Sequence, residues 1–239
     1  MRHPATTHRF YDLVMAGFIT VLLCANLLGP AKTCVFALPV IGTALVFGAG
    51  NLFFPISYIF GDVLTEVYGY AKARKVIWAG FGAMVFASLM SWLVINLPPN
   101  PAEPYNETLQ PALEVVFGST ARIVAASVLA FWLGDFVNSY VLAKMKVWTE
   151  GRWLWTRTIG STVVGQGVDS VIFYPLAFYG TWDTATLWKV VGFNWLFKIS
   201  IEVVMTPVTY AVVNALKRHE HCDHFDRTTN FTPFSLADR

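Results

Sequence analysis

The chain alternates long apolar runs with short polar breaks, and the length of the runs sets the class. Six stretches, roughly 10–29, 43–66, 75–97, 119–143, 157–180 and 188–216, reach the ~20 apolar residues that cross a hydrocarbon core as a helix. Polar positions inside them are few and recur at helical spacing. Tyr58, Asp62 and Glu66 stand four apart in the second run, Gln166 and Asp169 three apart in the fifth, and Asn194, Lys198 and Glu202 four apart in the sixth. Asp135 and Asn138 mark the fourth run, whereas the third, with Ser88 and Ser91 as its deeper polar groups, reads as scaffold. An ionisable side chain inside a membrane segment is expensive, so each of these charges points to a ligand site or a pathway.

Depth sharpens that reading. At ~1.5 Å per residue from Arg157, Asp169 lies ~18 Å into a core ~30 Å thick, and Lys198, about ten residues into the sixth run, reaches a similar level. Pro55 is expected to kink or break the second helix and free carbonyl groups toward a cavity. Bland alternatives stand beside these functional ones. Glu66 adjoins the turn Tyr68 to Lys75 and can be an interfacial ion pair with Lys72 or Arg74. Lys198 and Glu202 can neutralise each other along one helix. Gly160, Ser161, Gly165 and Gly167 are small residues that let membrane helices approach, so part of the fifth run is packing.

Composition agrees with the pattern: 55% of residues are hydrophobic and 13% charged. Mean hydropathy is +0.52, whereas soluble domains carry about 25% charge. A soluble domain is excluded. The net charge of +2 is uninformative as a total, and no basic run or interleaving of basic and aromatic residues points to nucleic-acid binding. Alternating loop assignment places 13 of the 17 Lys and Arg on one side, among them Arg2, Arg9, Lys72, Arg74, Lys75, Lys144 to Arg157, and those from Lys217 onward. By the positive-inside rule both termini are cytoplasmic, and the proline-rich, acidic loop 98–117 is outside. Residues 1–217 then form a six-helix transmembrane domain, and 218–239 a cytoplasmic tail.

Other features narrow the chemistry. The first run, preceded by Arg2 and Arg9, exceeds a signal-peptide core and lacks a small-x-small cleavage pattern, so it is read as a retained helix. Cys24, Cys34 and Cys222 offer no disulfide framework, and the N-x-T matches at Asn106 and Asn230 carry no weight. His219, His221, Cys222 and His224 are metal-ligand types on a short flexible run without a second pair at zinc-finger spacing, so neither a metal nor a cofactor is expected. Trp78, Trp92, Trp148, Trp153, Trp155, Trp182 and Trp188 read as interfacial belt anchors. No Walker A, G-x-S-x-G or H-E-x-x-H motif occurs. An intramembrane enzyme using Asp62, Asp135 and Asp169 as acid and base is the rival from another class.

Longer motifs carry a resemblance. Phe54-Pro55-Ile56-Ser57-Tyr58 runs into Gly61-Asp62-Val63-Leu64-Thr65-Glu66-Val67-Tyr68-Gly69-Tyr70 and Ala73-Arg74-Lys75. Further on come Gly160-Ser161-Thr162, Gly165-Gln166 with Asp169, Lys198 with Glu202, Thr206-Pro207, Tyr210, and Thr229-Asn230-Phe231-Thr232-Pro233-Phe234. Over nearly the whole chain this resembles the bacterial queuosine-precursor transporters, and more distantly the six-helix substrate-binding components of energy-coupling-factor vitamin transporters. The resemblance implies a multi-pass protein of the bacterial inner membrane that imports 7-deazaguanines, such as 7-cyano- and 7-aminomethyl-7-deazaguanine, for tRNA modification. A substrate-binding subunit that needs an ATPase partner is the rival within transport. The substrate-binding set is expected to be Tyr58, Asp62, Glu66, Gln166, Asp169, Asn194, Trp195, Lys198 and Glu202, with Phe54 and Phe173 as further stacking candidates. The bilayer and a 7-deazapurine are the expected partners, and a homodimer is left open.

Overall fold

The computed structural model describes residues 8–27, 33–38, 43–48, 52–118 and 121–235. Along these, helix α1 (Tyr11–Leu27) leads to an antiparallel hairpin of β1 (Thr33–Leu38) and β2 (Thr43–Gly48), with Thr33 opposite Gly48 and Leu38 opposite Thr43. Helices α2 (Phe54–Tyr68), α3 (Tyr70–Asn96), α4 (Asn106–Phe117), α5 (Ala121–Trp148), α6 (Leu154–Phe178) and α7 (Thr184–Glu220) follow. Among the described residues, α3, α5 and α7 are long and apolar enough to cross a membrane by length and composition. Helix α6 has the length but carries the polar stripe from Thr158 to Ser170, which dilutes its apolar character. Helix α1 is apolar but shorter, at 17 residues.

Three sequence expectations are corrected. The run 43–66 is not one helix: residues 43–48, rich in β-branched and aromatic side chains, form a strand, and α2 begins only at Phe54. Gly48 and Gly50 each disfavour a continuous helix by about 1 kcal/mol, and Pro55 sits in the first turn, where its missing N–H is not needed. Pro55 therefore starts the helix and does not kink it. The acidic loop 98–117 also holds a helix, α4, whose carboxylate Glu107 stands in the first turn.

A single residue, Gly69, separates α2 from α3. Its φ of +85° and the His224 ring, 2.2 Å from where a Cβ would sit, both demand glycine. Apolar packing joins Val14, Phe18 and Leu22 of α1 to Val63, Leu64 and Val67 of α2 and to Val76 and Met84 of α3. Helices α5 and α6 meet backbone to backbone: a Cβ on Gly165 would lie 2.6 Å from Asn138 Cβ, and one on Gly134 2.9 Å from Asp169 Cβ. Small residues thus bring the polar faces of α5 and α6 together. Phe86, Leu89, Val204 and Val208 point outward, as lipid-facing side chains do.

The segment after α7, expected to be a flexible tail, is docked. Asp226 accepts from the Tyr70 N–H at 3.0 and 3.2 Å, capping the start of α3. Arg74 donates to the carbonyls of Asn230 and Thr232 at 2.7 and 2.6 Å, and Trp78 Nε1 to that of Pro233 at 2.7 Å. Trp78 is therefore no belt anchor but the centre of an aromatic cluster with Trp132, Phe136 and Phe234. The four metal-ligand types diverge. His219 packs on Phe10, Cys222 Sγ reaches Val67 O, and His224 faces Asp226. Among the described residues, no three His, Cys, Asp or Glu gather as a metal site.

Candidate functional site

Four helices bring their polar stripes to one place. Tyr58 of α2 stands within electrostatic reach of Asp135 from α5, of Asp169 and Tyr174 from α6, and of Glu202 from α7. Asp169 and Lys198 form a hydrogen-bonded ion pair between α6 and α7, with side chains 20% and 9% exposed. Asp135 faces both members of that pair. Lys198 thus pairs across helices with Asp169 rather than along α7 with Glu202, correcting the spacing-based expectation.

Glu202 turns instead toward Asp62. The two carboxyl groups adjoin one another, with Asn138 beside Asp62 and Thr162 beside Glu202. Asp62 is 1% and Glu202 0% exposed. Among the described residues, Asp62 Oδ2 and both Glu202 carboxyl oxygens lack a hydrogen bond of ordinary geometry, and so do Ser170 Oγ and Asn138 Oδ1. Gln166 is also buried on the inward stripe of α6. Unsatisfied acceptors at this depth are costly, about 1–3 kcal/mol each, which marks the place as one built for a partner.

The remaining expected residues fall differently. Asn194 spends its amide on the Val190 carbonyl one turn back on its own helix, at 3.0 Å. Trp195 donates from Nε1 to Val163 O at 2.8 Å and lies against Gly167, tying α7 to α6. Phe173 packs on Tyr174 and Phe178, and the Phe54 side chain lies outside the described residues. Thr162, Ser170 and Tyr174 join the site although the sequence reading did not select them. Thr162 and Ser170 continue the stripe of Gln166 at fourfold spacing, a signal that was present but weak for uncharged groups.

Glu66 ends in a second arrangement, at the end of the bundle that carries the tail. Arg157 Nε and Nη2 donate to its two oxygens at 2.8 and 2.9 Å, Lys217 Nζ reaches Oε1 at 2.5 Å, and Lys146 Nζ lies 3.4 Å from Oε1. Its partners are thus these three cations and not Lys72 or Arg74. Asp223 of the tail accepts from Lys146 and Lys217 at 2.5 and 2.8 Å. Burial pulls the Asp223 carboxyl upward, but the hydrogen bonds and charges of these two lysines outweigh it and hold the group below its ordinary value. Arg157 and Lys146 give no local sign of burial in the sequence, where both read as loop charges.

Long apolar helices surrounding buried carboxyls, a lysine and a tyrosine define an integral membrane protein with an internal polar site. The chain belongs to the family described as "Putative vitamin uptake transporter", which it matches over residues 48–212. It is similar to the "Probable queuosine precursor transporter" of Bacillus subtilis, 30% identical over 212 residues that make up 87% of this chain and 85% of that protein. The protein of the same name from Haemophilus influenzae is 29% identical over 170 residues, 69% of this chain and 67% of its own. The "Queuosine precursor transporter" of Escherichia coli is 27% identical over 169 residues, 69% and 71% of the two chains. No solved structure matches. The family and these relatives are named as transporters, and none as an enzyme.

Proposed function

We propose that this protein imports queuosine precursors, 7-deazaguanines such as 7-cyano- and 7-aminomethyl-7-deazaguanine, across the bacterial inner membrane. Family membership supplies the class, and one observation carries the site: the buried Asp62 and Glu202 carboxyls, short of donors, beside the Asp169–Lys198 pair. A guanine-like edge presents a ring N–H and an exocyclic amine that a carboxylate accepts as a matched pair, and a carbonyl oxygen to which Lys198 or Gln166 can donate. Tyr58 and Trp195 supply ring surface for the flat heterocycle. Asn194 and Glu66 complete the expected set, Asn194 one turn before Lys198 on α7 and Glu66 one turn after Asp62 on α2, in the ion-pair cluster.

In this reading α1, α2, α3, α5, α6 and α7 cross the membrane with both termini cytoplasmic, and α4 lies outside. The tail then straps the cytoplasmic ends. Likeness to the substrate-binding components of energy-coupled transporters, and pairing into a homodimer, belong to the same proposal. The test is the queuosine content of tRNA in a bacterium that can neither make nor import the precursor. Expression of this chain should restore the modification at nanomolar to micromolar external precursor, and unmodified tRNA despite protein in the membrane would sink the substrate assignment.

A further inference from the structure

We propose that Asp62 and Glu202 form a proton-binding site loaded together with the substrate, so that each precursor molecule enters with a proton; this rests on the substrate reading above. Two ionised carboxylates have only acceptors to offer each other. Here they adjoin in a space closed to solvent, and although Asn138 and Thr162 stand beside them, three of their four oxygens lack a hydrogen bond of ordinary geometry among the described residues. Cations nearby are engaged elsewhere, Lys198 with Asp169, and Arg157, Lys146 and Lys217 with Glu66. The other groups facing the pair are Glu66 and Tyr58 from α2, Asn138 from α5 and Thr162 from α6. Helices α1 and α3 meet α2 through apolar side chains. Nothing on this list is a cation that could neutralise the pair.

Like charges in one closed, buried site do not both ionise, so the pair holds a proton while closed and releases it only when the site opens to water on the cytoplasmic side. One shared proton turns the repulsive contact into an O–H···O⁻ hydrogen bond, which is short and strong. When substrate enters, that internal bond opens, leaving the protonated carboxyl as a donor and the ionised one as an acceptor side by side. The lactam edge of a 7-deazaguanine, a carbonyl oxygen next to a ring N–H, is the complement of that pair. A doubly ionised pair repels that carbonyl even where Lys198 or Gln166 also donates to it, so proton and substrate favour each other's binding. Loading also removes one negative charge from the path through the bilayer, where charge is most expensive.

The experiment uses the full chain in weakly buffered proteoliposomes with an external pH dye and 7-cyano-7-deazaguanine as the probe. Uptake should alkalinise the outside by about one proton per molecule, the one proton that the closed pair holds and gives up inside. An acidic exterior should raise the initial rate, and an imposed sodium gradient should not. Asp62→Asn and Glu202→Gln should abolish the proton signal. Uptake with no alkalinisation, or driven by sodium, would overturn the proposal while leaving the transport function intact. If no uptake occurs, the substrate reading fails and infrared spectroscopy still decides on the pair. A protonated-carboxyl stretch at neutral pH, lost in both variants, supports the proton site, and its absence from the unsubstituted protein refutes it.

Discussion

Asp62 and Glu66 stand one turn apart on α2, both buried, and the protein treats them oppositely. Glu66 is held by Arg157, Lys217 and Lys146 from three other helices. Asp62 faces another carboxyl and has an oxygen with no donor. A buried charge can thus serve as a structural fastener when its partners are supplied by the chain, and as a receptor when they are withheld. Burial alone distinguishes nothing here; partnership does.

The contrast is broken most easily through stability. Glu66→Ala would strand buried cations and is expected to lower stability by about 3–5 kcal/mol, read as a drop in Tm in detergent and in membrane abundance. Asp62→Asn should leave Tm unchanged or raise it, because the amide gives Glu202 a donor in place of a second carboxyl. Equal losses in the two variants would erase the distinction. A second cycle concerns Lys198: Lys198→Met alone should lower stability by about 3 kcal/mol by exposing Asp169 to burial without a partner, and the further change Asp169→Asn should restore most of it. Thermal unfolding of the single and double variants gives the coupling directly.

Smaller effects sharpen the comparison at its edges. Gly165→Ala would force a Cβ into Asn138 and prise α5 from α6, costing about 1–3 kcal/mol and weakening binding through the displaced Asn138 and Asp169. The tail cap is worth least. Burial raises Asp226, but the hydrogen bonds from His224, Thr229 and the Tyr70 N–H outweigh it and hold the carboxyl below its ordinary value. A lowered folded value means that its contribution is present above the unfolded pKa near 3.9 and is lost as pH falls through the folded one. Limited proteolysis should therefore cut the tail faster below about pH 4, and Asp226→Asn should loosen it at neutral pH by about 1 kcal/mol.

Much of this fold was legible in the apolar runs, since α1, α3, α5, α6 and α7 fall within a few residues of the expected spans. The hairpin was not, because a short apolar run of Thr43 to Gly48 fits strand and helix alike until chain geometry decides. Fourfold spacing placed Asp62, Lys198 and Glu202 on inward faces correctly. It could not choose Lys198's partner, because Asp169 on α6 is a neighbour only through the packing of α6 on α7. Docking of the tail depends on carbonyls of Asn230, Thr232 and Pro233, which every residue type carries, so no side-chain pattern announced it.

The most direct measurement is equilibrium binding of radiolabelled 7-cyano-7-deazaguanine to purified protein, with and without Asp62→Asn. The unsubstituted protein should bind saturably, and the variant, equally folded by its Tm, should lose at least tenfold in affinity, a change of about 1.4 kcal/mol. Equal binding by the two proteins would contradict the assignment of the unpartnered carboxyl pair as the substrate site.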